Sequence, residues 1–417
     1  MSVFKDRGVG RSPSSSSLQQ GTPFLSPDEN GAGFHRGVEK GHYRINVLMV
    51  TPRYFPYMGG IETHVHEVGR RLQRNGVNVT LLTTVAHQQM LSLPEEEECE
   101  GMRILRVRAW PRQRDYYLAP EIYTVIKQGR WDLIHCQGCH TLAPPLAMLA
   151  AKAAGLPYML TFHTGGHSSL WRHKVRAVQW QLLRPLLKDA VKLIGVSHFE
   201  ANYFHHLLHL PMERFTIIPN GATLPEQQPE VREPVTSALI ISVGRLEKYK
   251  GHHRLIAALP LIRLQRPDAH LLLLGAGPYE GELRSLARQL GVENHVSIRA
   301  IAANDRQAMA EQLAQAALVA LLSDYEAHPV AIMEALALRR SVLVADTSGL
   351  RELAERGWAR AIALGSTPEA IAEAVVAPMA APCPLPPDFC LPTWDDCAHQ
   401  IQAIYRTIVE GRKTCAS

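Results

Sequence analysis

INVLMVTPRYFPYMGGIETHVHEVGRRLQRNGVNVTLLTTV, residues Ile45–Val85, reads as one strand–loop–helix–strand unit. INVLMVTP is a short continuous apolar run, the pattern of a strand buried on both faces of a parallel sheet. PYMGGIETHVHEVGRRLQRNG is a glycine loop that runs into a helix, and VNVTLLTTV is the next buried strand. Such a unit opens a doubly wound α/β sheet. Downstream, DLIHCQG, PYMLTFHT and KLIGVSHF read as further strands, each followed by a helical stretch. Upstream, residues 1–42 are rich in Ser, Gly, Pro and Gln and lack apolar periodicity, the composition of a disordered tail.

The same grammar starts again near residue 236. ALIISVGRL, HLLLLGAGP, HVSIRA, the run Ala316–Leu322 and SVLVAD read as strands. HHRLIAALPLIRLQ, Glu280–Leu290, Arg306–Gln315 and a stretch beginning Leu350–Glu355 read as the helices between them. Polar, proline-bearing Glu226–Pro234 is the candidate linker, and the Pro-rich stretch Pro378–Pro392 leads to a last helix over about Trp394–Glu410. The expected division is therefore 43–224 and 235–380, with the helix at 394–411 added to the first domain, and the two domains facing across a cleft.

Composition narrows the class. A chain of 417 residues is long enough for two α/β domains, and 46% hydrophobic with 20% charged residues is ordinary for a globular protein. No apolar run approaches the ~20 residues of a membrane span, and the N-terminus shows no secretory h-region. The expected location is cytoplasmic, with peripheral contact at the inner membrane face left open. A net charge of +5 is mild and argues against a nucleic-acid partner. Seven cysteines, an odd count, do not suggest a disulfide framework, and the lone C-x-x-C at Cys136 and Cys139 lacks the second pair a zinc site needs. Small residues filling a turn are the simpler reading.

The chemistry concentrates in a few loops. In SDYEAHPVAIMEALAL, Ser323–Leu338, Glu326 falls in a strand-to-helix loop, the residues after Pro329 read as a helix, and Glu334 lies about two turns further on than Glu326. A helix N-terminus suits phosphate, and flanking carboxylates suit sugar and ribose hydroxyls, so the combination describes a nucleotide-sugar site. In GRLEKYKG, Gly244 and Arg245 follow a strand and Lys250 precedes a helix, so two cations stand where a diphosphate leaving group needs them. Gly59 and Gly60 follow the first strand and let backbone approach a ligand, although a tight turn explains them equally. They are not a G-x-G-x-x-G fingerprint, which disfavours a nicotinamide enzyme. His163 ends a strand where cleft residues gather, and both a structural and a functional reading fit it. His167 and His173 fit no metal-ligand spacing. Gly275-Ala276-Gly277-Pro278 reads as a tight turn. Along Leu170–Leu187, Trp171, Val175, Val178, Leu182 and Leu186 recur at helical spacing beside Arg and Lys, the pattern of a core-facing helix or of a membrane-surface helix. Glu95–Glu98 reads as a solvated loop.

Taken in order, the glycine loop, His163, the P-N-G turn at Asn220 and Gly221, G-R-L with Lys250, G-x-G-P and the E-x7-E pair resemble retaining glycosyltransferases of family 4, from about Arg44 to Glu410. The resemblance implies the GT-B fold: two Rossmann-like doubly wound domains across a cleft, with the C-terminal helix crossing back to the N-terminal domain. It implies a nucleotide-diphosphate sugar donor held mainly by the C-terminal domain, and a saccharide or lipid-linked acceptor at the N-terminal one, in glycan or glycolipid synthesis. Arg245 and Lys250 then bind the donor phosphates, Glu334 the ribose and Glu326 the sugar. Gly59, Gly60, Gly244, Pro329 and Val330 line the donor, and His163 stands beside its sugar. Front-face attack with retention, in which the leaving phosphate takes the acceptor's proton, needs no metal or other cofactor, and no D-x-D motif is present. P-N-G marks a domain boundary. Two departures stand out. Ala327, His328 and Pro329 replace the usual Gly-Phe-Gly, and Arg339-Arg340-Ser341 occupies the turn where Gly and Pro are usual. They keep open two alternatives, a nucleotide-sugar epimerase that needs no acceptor and a non-catalytic binding protein on the same fold.

Overall fold

A computed structural model describes residues 44–416 except 58, 86–91, 111–117, 140, 164–169, 223–237, 303–304 and 382–383. The expected tail, the candidate linker and His167 lie outside the described residues, as does the side chain of His173. The first sheet contains β1 (Asn46–Thr51), β2 (Asn78–Val85), β3 (Glu96–Cys99), β4 (Met102–Arg108), β5 (Leu133–Gln137), β6 (Tyr158–Thr161), β7 (Lys192–Gly195) and β8 (Phe215–Ile217), in the order β3-β4-β2-β1-β5-β6-β7-β8. Helices α1 (Gly60–Arg74), α2 (Glu121–Gln128), α3 (Ala143–Ala153), α4 (Leu170–Asp189) and α5 (His198–Leu208) fall between them. Every pairing is parallel except β3 with β4. Helices and loops cover both faces, so β1 and β5 are buried almost throughout, which is why they read as unbroken apolar runs.

The second sheet is wholly parallel, in the order β11-β10-β9-β12-β13-β14. Its strands are β9 (Leu239–Val243), β10 (His270–Leu274), β11 (Val296–Arg299), β12 (Leu318–Leu321), β13 (Ser341–Ala345) and β14 (Arg360–Ile362). They alternate with α6 (His252–Gln265), α7 (Glu280–Gln289), α8 (Arg306–Ala314), α9 (Val330–Ala337), α10 (Ser348–Glu355) and α11 (Pro368–Ala380). In each sheet the chain winds outward from a central strand, returns, and winds out on the other side. The direction reverses between β1 and β5 in one sheet and between β9 and β12 in the other. Ligands of open α/β sheets bind beyond the strand C-termini at these reversal points.

The last helix, α12 (Trp394–Ala416), returns to the first sheet. Trp394, Cys397, Ala398, Ile401, Tyr405 and Val409 recur at helical spacing and bury against α1 and β1. Arg71 of α1 binds Asp395 at 3.0 Å, and the Tyr405 hydroxyl lies 2.6 Å from Nδ1 of buried His135 on β5. No helix among the described residues is long and apolar enough to cross a membrane.

Two local readings need correction. The run Glu95–Glu98 is no loop, because Glu96–Cys99 is an antiparallel edge strand against β4. Its glutamates meet the arginines of that strand, Glu96 with Arg103 and Glu97 with Arg106, both at 2.5 Å. Opposite charges across an antiparallel pair stabilise it, a signal that appears only once both strands are considered together. On α4 two residues of the stripe expected to face the core point outward, Val178 at 60% and Leu182 at 75% exposed, while Leu186 packs against the core beside buried Trp180, Leu183 and Leu187; the side chains of Trp171 and Val175 lie outside the described residues. Sequence reading also missed β4, β8, β14, α2 and α11.

Tyr405→Phe should take from a buried His135 nitrogen its nearer partner and leave it only the longer contact with Gln137 Nε2 at 3.3 Å. A loss of about 1–3 kcal/mol in denaturant titration is the expected outcome.

Candidate functional site

The turn after β9 and the loop after β12 lie on either side of the second reversal point and are joined by a buried ion pair. Lys250 Nζ stands 2.6 Å from Glu326 Oε1, and both side chains are largely buried. Burial alone would depress the ammonium, but the Glu326 carboxylate beside it prevails and raises Lys250 above its ordinary pKa. The Ser323 hydroxyl donates to the same Oε1 at 2.7 Å, while the Glu326 N–H donates to Ser348 Oγ at 2.8 Å. Gly251 ends the Lys250 turn in a left-handed conformation (φ 74°), and a Cβ there would run into the Leu322 carbonyl. Only glycine lets this turn press against the end of β12.

Arg245, half-exposed, pairs with Glu247 at 2.9 Å and donates to the Tyr249 hydroxyl at 3.1 Å. Gly275 and Gly277 pack beneath this turn, where side chains would collide with the carbonyls of Gly244 and Leu246. The G-x-G-P loop therefore supports the Arg245 turn from below. Pro329 caps α9 from just outside the helix, and Val330 is its first residue. Glu334, about one turn into α9, is buried and ion-paired with Arg306 of α8. Sequence reading missed Arg306, since nothing local ties it to a glutamate on another helix. Arg339 takes up the left-handed conformation (φ 57°) that follows α9, where glycine is the usual residue.

From the first half, α1 begins at Gly60 with extended Gly59 as its cap. The Glu62 carboxylate lies against Gly59, and a Cβ at Gly59 would strike it, whereas a Cβ at Gly60 would meet nothing within 4 Å. Glu62 is buried, which pushes its pKa up. Its own backbone N–H and the charges of Arg53 and Arg245 oppose the shift. The glycine loop and Arg245 thus share one electrostatic site. His163 follows β6, is 7% exposed and has left-handed backbone (φ 49°). Its Nε2 lies 2.8 Å from Gln137 Oε1, at the end of β5, and its ring meets that of His64 edge-on at 4.4 Å.

Asn220, expected to do no more than mark a boundary, joins the halves. It binds His64 of α1 through Oδ1 at 2.9 Å and donates from Nδ2 to the His328 carbonyl at 3.0 Å. The structure therefore links His163, His64, Asn220 and the Glu326–Pro329 loop by direct contacts, and Lys250 joins them through Glu326. A cavity of about 230 Å³ opens beside this junction, lined by Ser197, His198, Pro219, His328, Glu352 and Arg356. Cys136 and Cys139 are buried thiols, and burial pushes both up, Cys136 beyond any physiological titration. No group of three or more His, Cys, Asp or Glu side chains suited to a metal occurs among the described residues.

Two family models match in succession, "Glycosyltransferase Family 4" over residues 58–224 and "Glycosyl transferases group 1" over 225–380. An uncharacterized glycosyltransferase from Methanocaldococcus jannaschii is 25% identical over 337 residues, covering 74% of this chain and 82% of the relative. A phosphatidyl-myo-inositol mannosyltransferase from Mycolicibacterium smegmatis is 26% identical over 325 residues, covering 75% of this chain and 79% of the relative. Among solved structures, sucrose-phosphate synthase from Thermosynechococcus elongatus superposes with a TM-score of 0.65 at 18% identity, over 89% of this chain and 98% of that one. HepE from Anabaena, solved with UDP-glucose, gives 0.65 at 20% identity, over 89% and 100%. These structural neighbours share the GT-B fold.

Burial holds Glu62 above the ordinary glutamate pKa, so its charge costs stability once the pH passes the unfolded value and continues to do so above the folded one. Glu62→Gln should raise Tm at pH 8 and leave it unchanged near pH 4, a difference that a pair of thermal melts will show.

Proposed function

We propose, from the premise that this chain belongs to glycosyltransferase family 4, that it transfers a sugar from a nucleotide-diphosphate donor to an acceptor hydroxyl with retention of anomeric configuration. The observation that carries the reading is the buried Lys250–Glu326 pair at the reversal point of the second sheet, joined through Asn220 to His163 of the first half. The UDP-glucose bound to HepE supports a nucleotide sugar as donor. The mannosyltransferase relative, named for a phosphoinositide, supports a saccharide or lipid-linked acceptor. A lipid-linked acceptor would be met at a membrane surface by the first half, where Val178 and Leu182 stand out from α4.

In this reading Arg245 grips the diphosphate, while Lys250 supplies a second positive charge that neutralises the leaving group as it departs. Glu326 holds Lys250 in place and accepts hydrogen bonds from sugar hydroxyls. Glu334, paired with Arg306, takes the ribose. Gly244, Pro329 and Val330 line the donor. Gly59 and Gly60 let backbone approach the reacting side, and His163 stands beside the sugar. The bond from the anomeric carbon to the phosphate oxygen breaks as the bond to the acceptor oxygen forms on the same face. The acceptor's proton passes to the departing phosphate oxygen. Two side-chain cations carry the neutralising charge, and no metal is assigned a role.

Thermal melts with UDP, GDP, ADP and their sugars test the donor site. One nucleotide should stabilise the protein, by about 2.7 kcal/mol at a hundredfold excess over Kd. Lys250→Met made together with Glu326→Gln, so that no lone charge is buried, should abolish the shift. Gly60→Ala is the complementary probe. It meets open space and adds a better helix former, so stability should hold or rise by up to about 1 kcal/mol while turnover falls. If no nucleotide shifts the melt and no donor is consumed, the reading fails.

A further inference from the structure

Asn220 lies in the segment after β8 and is 4% exposed. Its amide has two different faces, and its neighbours decide which way each points. The His328 carbonyl can only accept, so Nδ2, 3.0 Å away, must donate to it. Oδ1 then faces His64 Nδ1 at 2.9 Å, and an amide oxygen can only accept. His64 therefore carries its proton on Nδ1 and presents a bare Nε2. That nitrogen is buried and has no hydrogen-bond partner among the described residues. The His64 ring also forms the edge contact with His163 at 4.4 Å.

His163 needs such support. A non-glycine residue at φ 49° costs on the order of 1 kcal/mol and persists only where the surroundings hold it. Gln137 holds one side of the imidazole and the His64 ring the other. The remaining aromatic neighbour of His64 is Trp394 of α12, and the titratable groups around it are His163, His135 on β5 and His328 in the loop after β12. Burial, against the opposing bond to Asn220, lowers His64 to about 4, so its ring stays neutral from pH 5 upward.

We propose that Asn220 is a positioning residue: by bridging the His328 carbonyl and His64 it fixes the His64 tautomer and couples the placement of the Glu326–Pro329 loop to the orientation of His163. When that loop engages a donor, the Asn220 bridge brings the His64 edge, and with it His163, into register with the sugar. This assignment rests on the donor-site reading for its kinetic part and on geometry alone for its tautomer.

The experiment has two readouts on the full chain. Histidine ring 15N spectra of the wild type should show His64 as a neutral Nδ1–H tautomer between pH 5 and 8. In Asn220→Asp a carboxylate faces Nδ1, stabilises the imidazolium and brings its titration into that range. An Nε2–H tautomer in the wild type, or an unshifted titration in Asn220→Asp, overturns the assignment. In kinetics, Asn220→Ala should lower kcat about tenfold while donor Kd moves less than about threefold. Equal losses in donor affinity and turnover overturn the coupling. If the wild type consumes no nucleotide sugar, the donor-site reading falls, and the spectra still decide the Asn220 tautomer.

Discussion

Two opposite charges taken out of water must stay together. Lys250 and Glu326 are separated by 76 residues, yet their side chains meet at 2.6 Å in a largely buried setting. Removing one of a buried pair strands the other at a cost of about 3–5 kcal/mol, so the two loops are held together by the penalty for parting. The surrounding contacts follow from that requirement. Gly251 lets the Lys250 turn reach the end of β12, Ser323 supplies a further donor to the carboxylate, and Ser348 with Gly349 binds the Glu326 backbone. Sheet topology puts both loops at one reversal point, and the ion pair gives the point a fixed shape.

The halves are held together more sparingly. Glu352 of α10 accepts the backbone N–H of His198 at 3.3 Å and that of Phe199, and so caps the N-terminus of α5 from the other half. Such a carboxylate suits the positive end of a helix. Asn220 makes the second tie. These are polar contacts with few atoms each. Apolar burial stabilises each half largely by itself, around four clusters of buried side chains among the described residues. Among the described residues, Val330 is the one residue of the second half to join a cluster of the first, beside Trp394 of α12. A junction held mainly by directional polar bonds separates at less cost than a shared core, which is what a site that must admit and release a ligand requires.

How much was legible depended on range. Buried parallel strands announce themselves within a few residues, so β1, β5, β9 and β12 could be read directly, and with them the loops that carry Arg245, Lys250 and Glu326. The β3–β4 hairpin was illegible because Glu96 and Glu97 look like any acidic run until the pairing brings Arg103 and Arg106 within diagonal reach. The α4 stripe misled because two equally spaced apolar sets share the helix, and only packing against Phe162 and Phe204 selects Trp180. Asn220 lies 156 residues from His64 and 108 from His328, and no local pattern records such a bridge. Arg306 was hidden for the same reason.

The departures from the family pattern become intelligible at this scale. Ala327, His328 and Pro329 replace flexible glycines, which should stiffen the loop and remove one amide. The structure uses this loop mainly through its backbone: the Glu326 N–H and C=O bind Ser348 and Gly349, and the His328 carbonyl binds Asn220. The His328 ring takes no part in these bonds, and burial lowers it to about 4, leaving it neutral and without effect on the charge of the site. A side-chain change here costs little provided the carbonyl keeps its direction. Pro329 helps maintain that direction, since its ring fixes the backbone at the cap of α9. What the loop loses in freedom it gains in a fixed carbonyl, and that carbonyl is the point at which the second half meets Asn220.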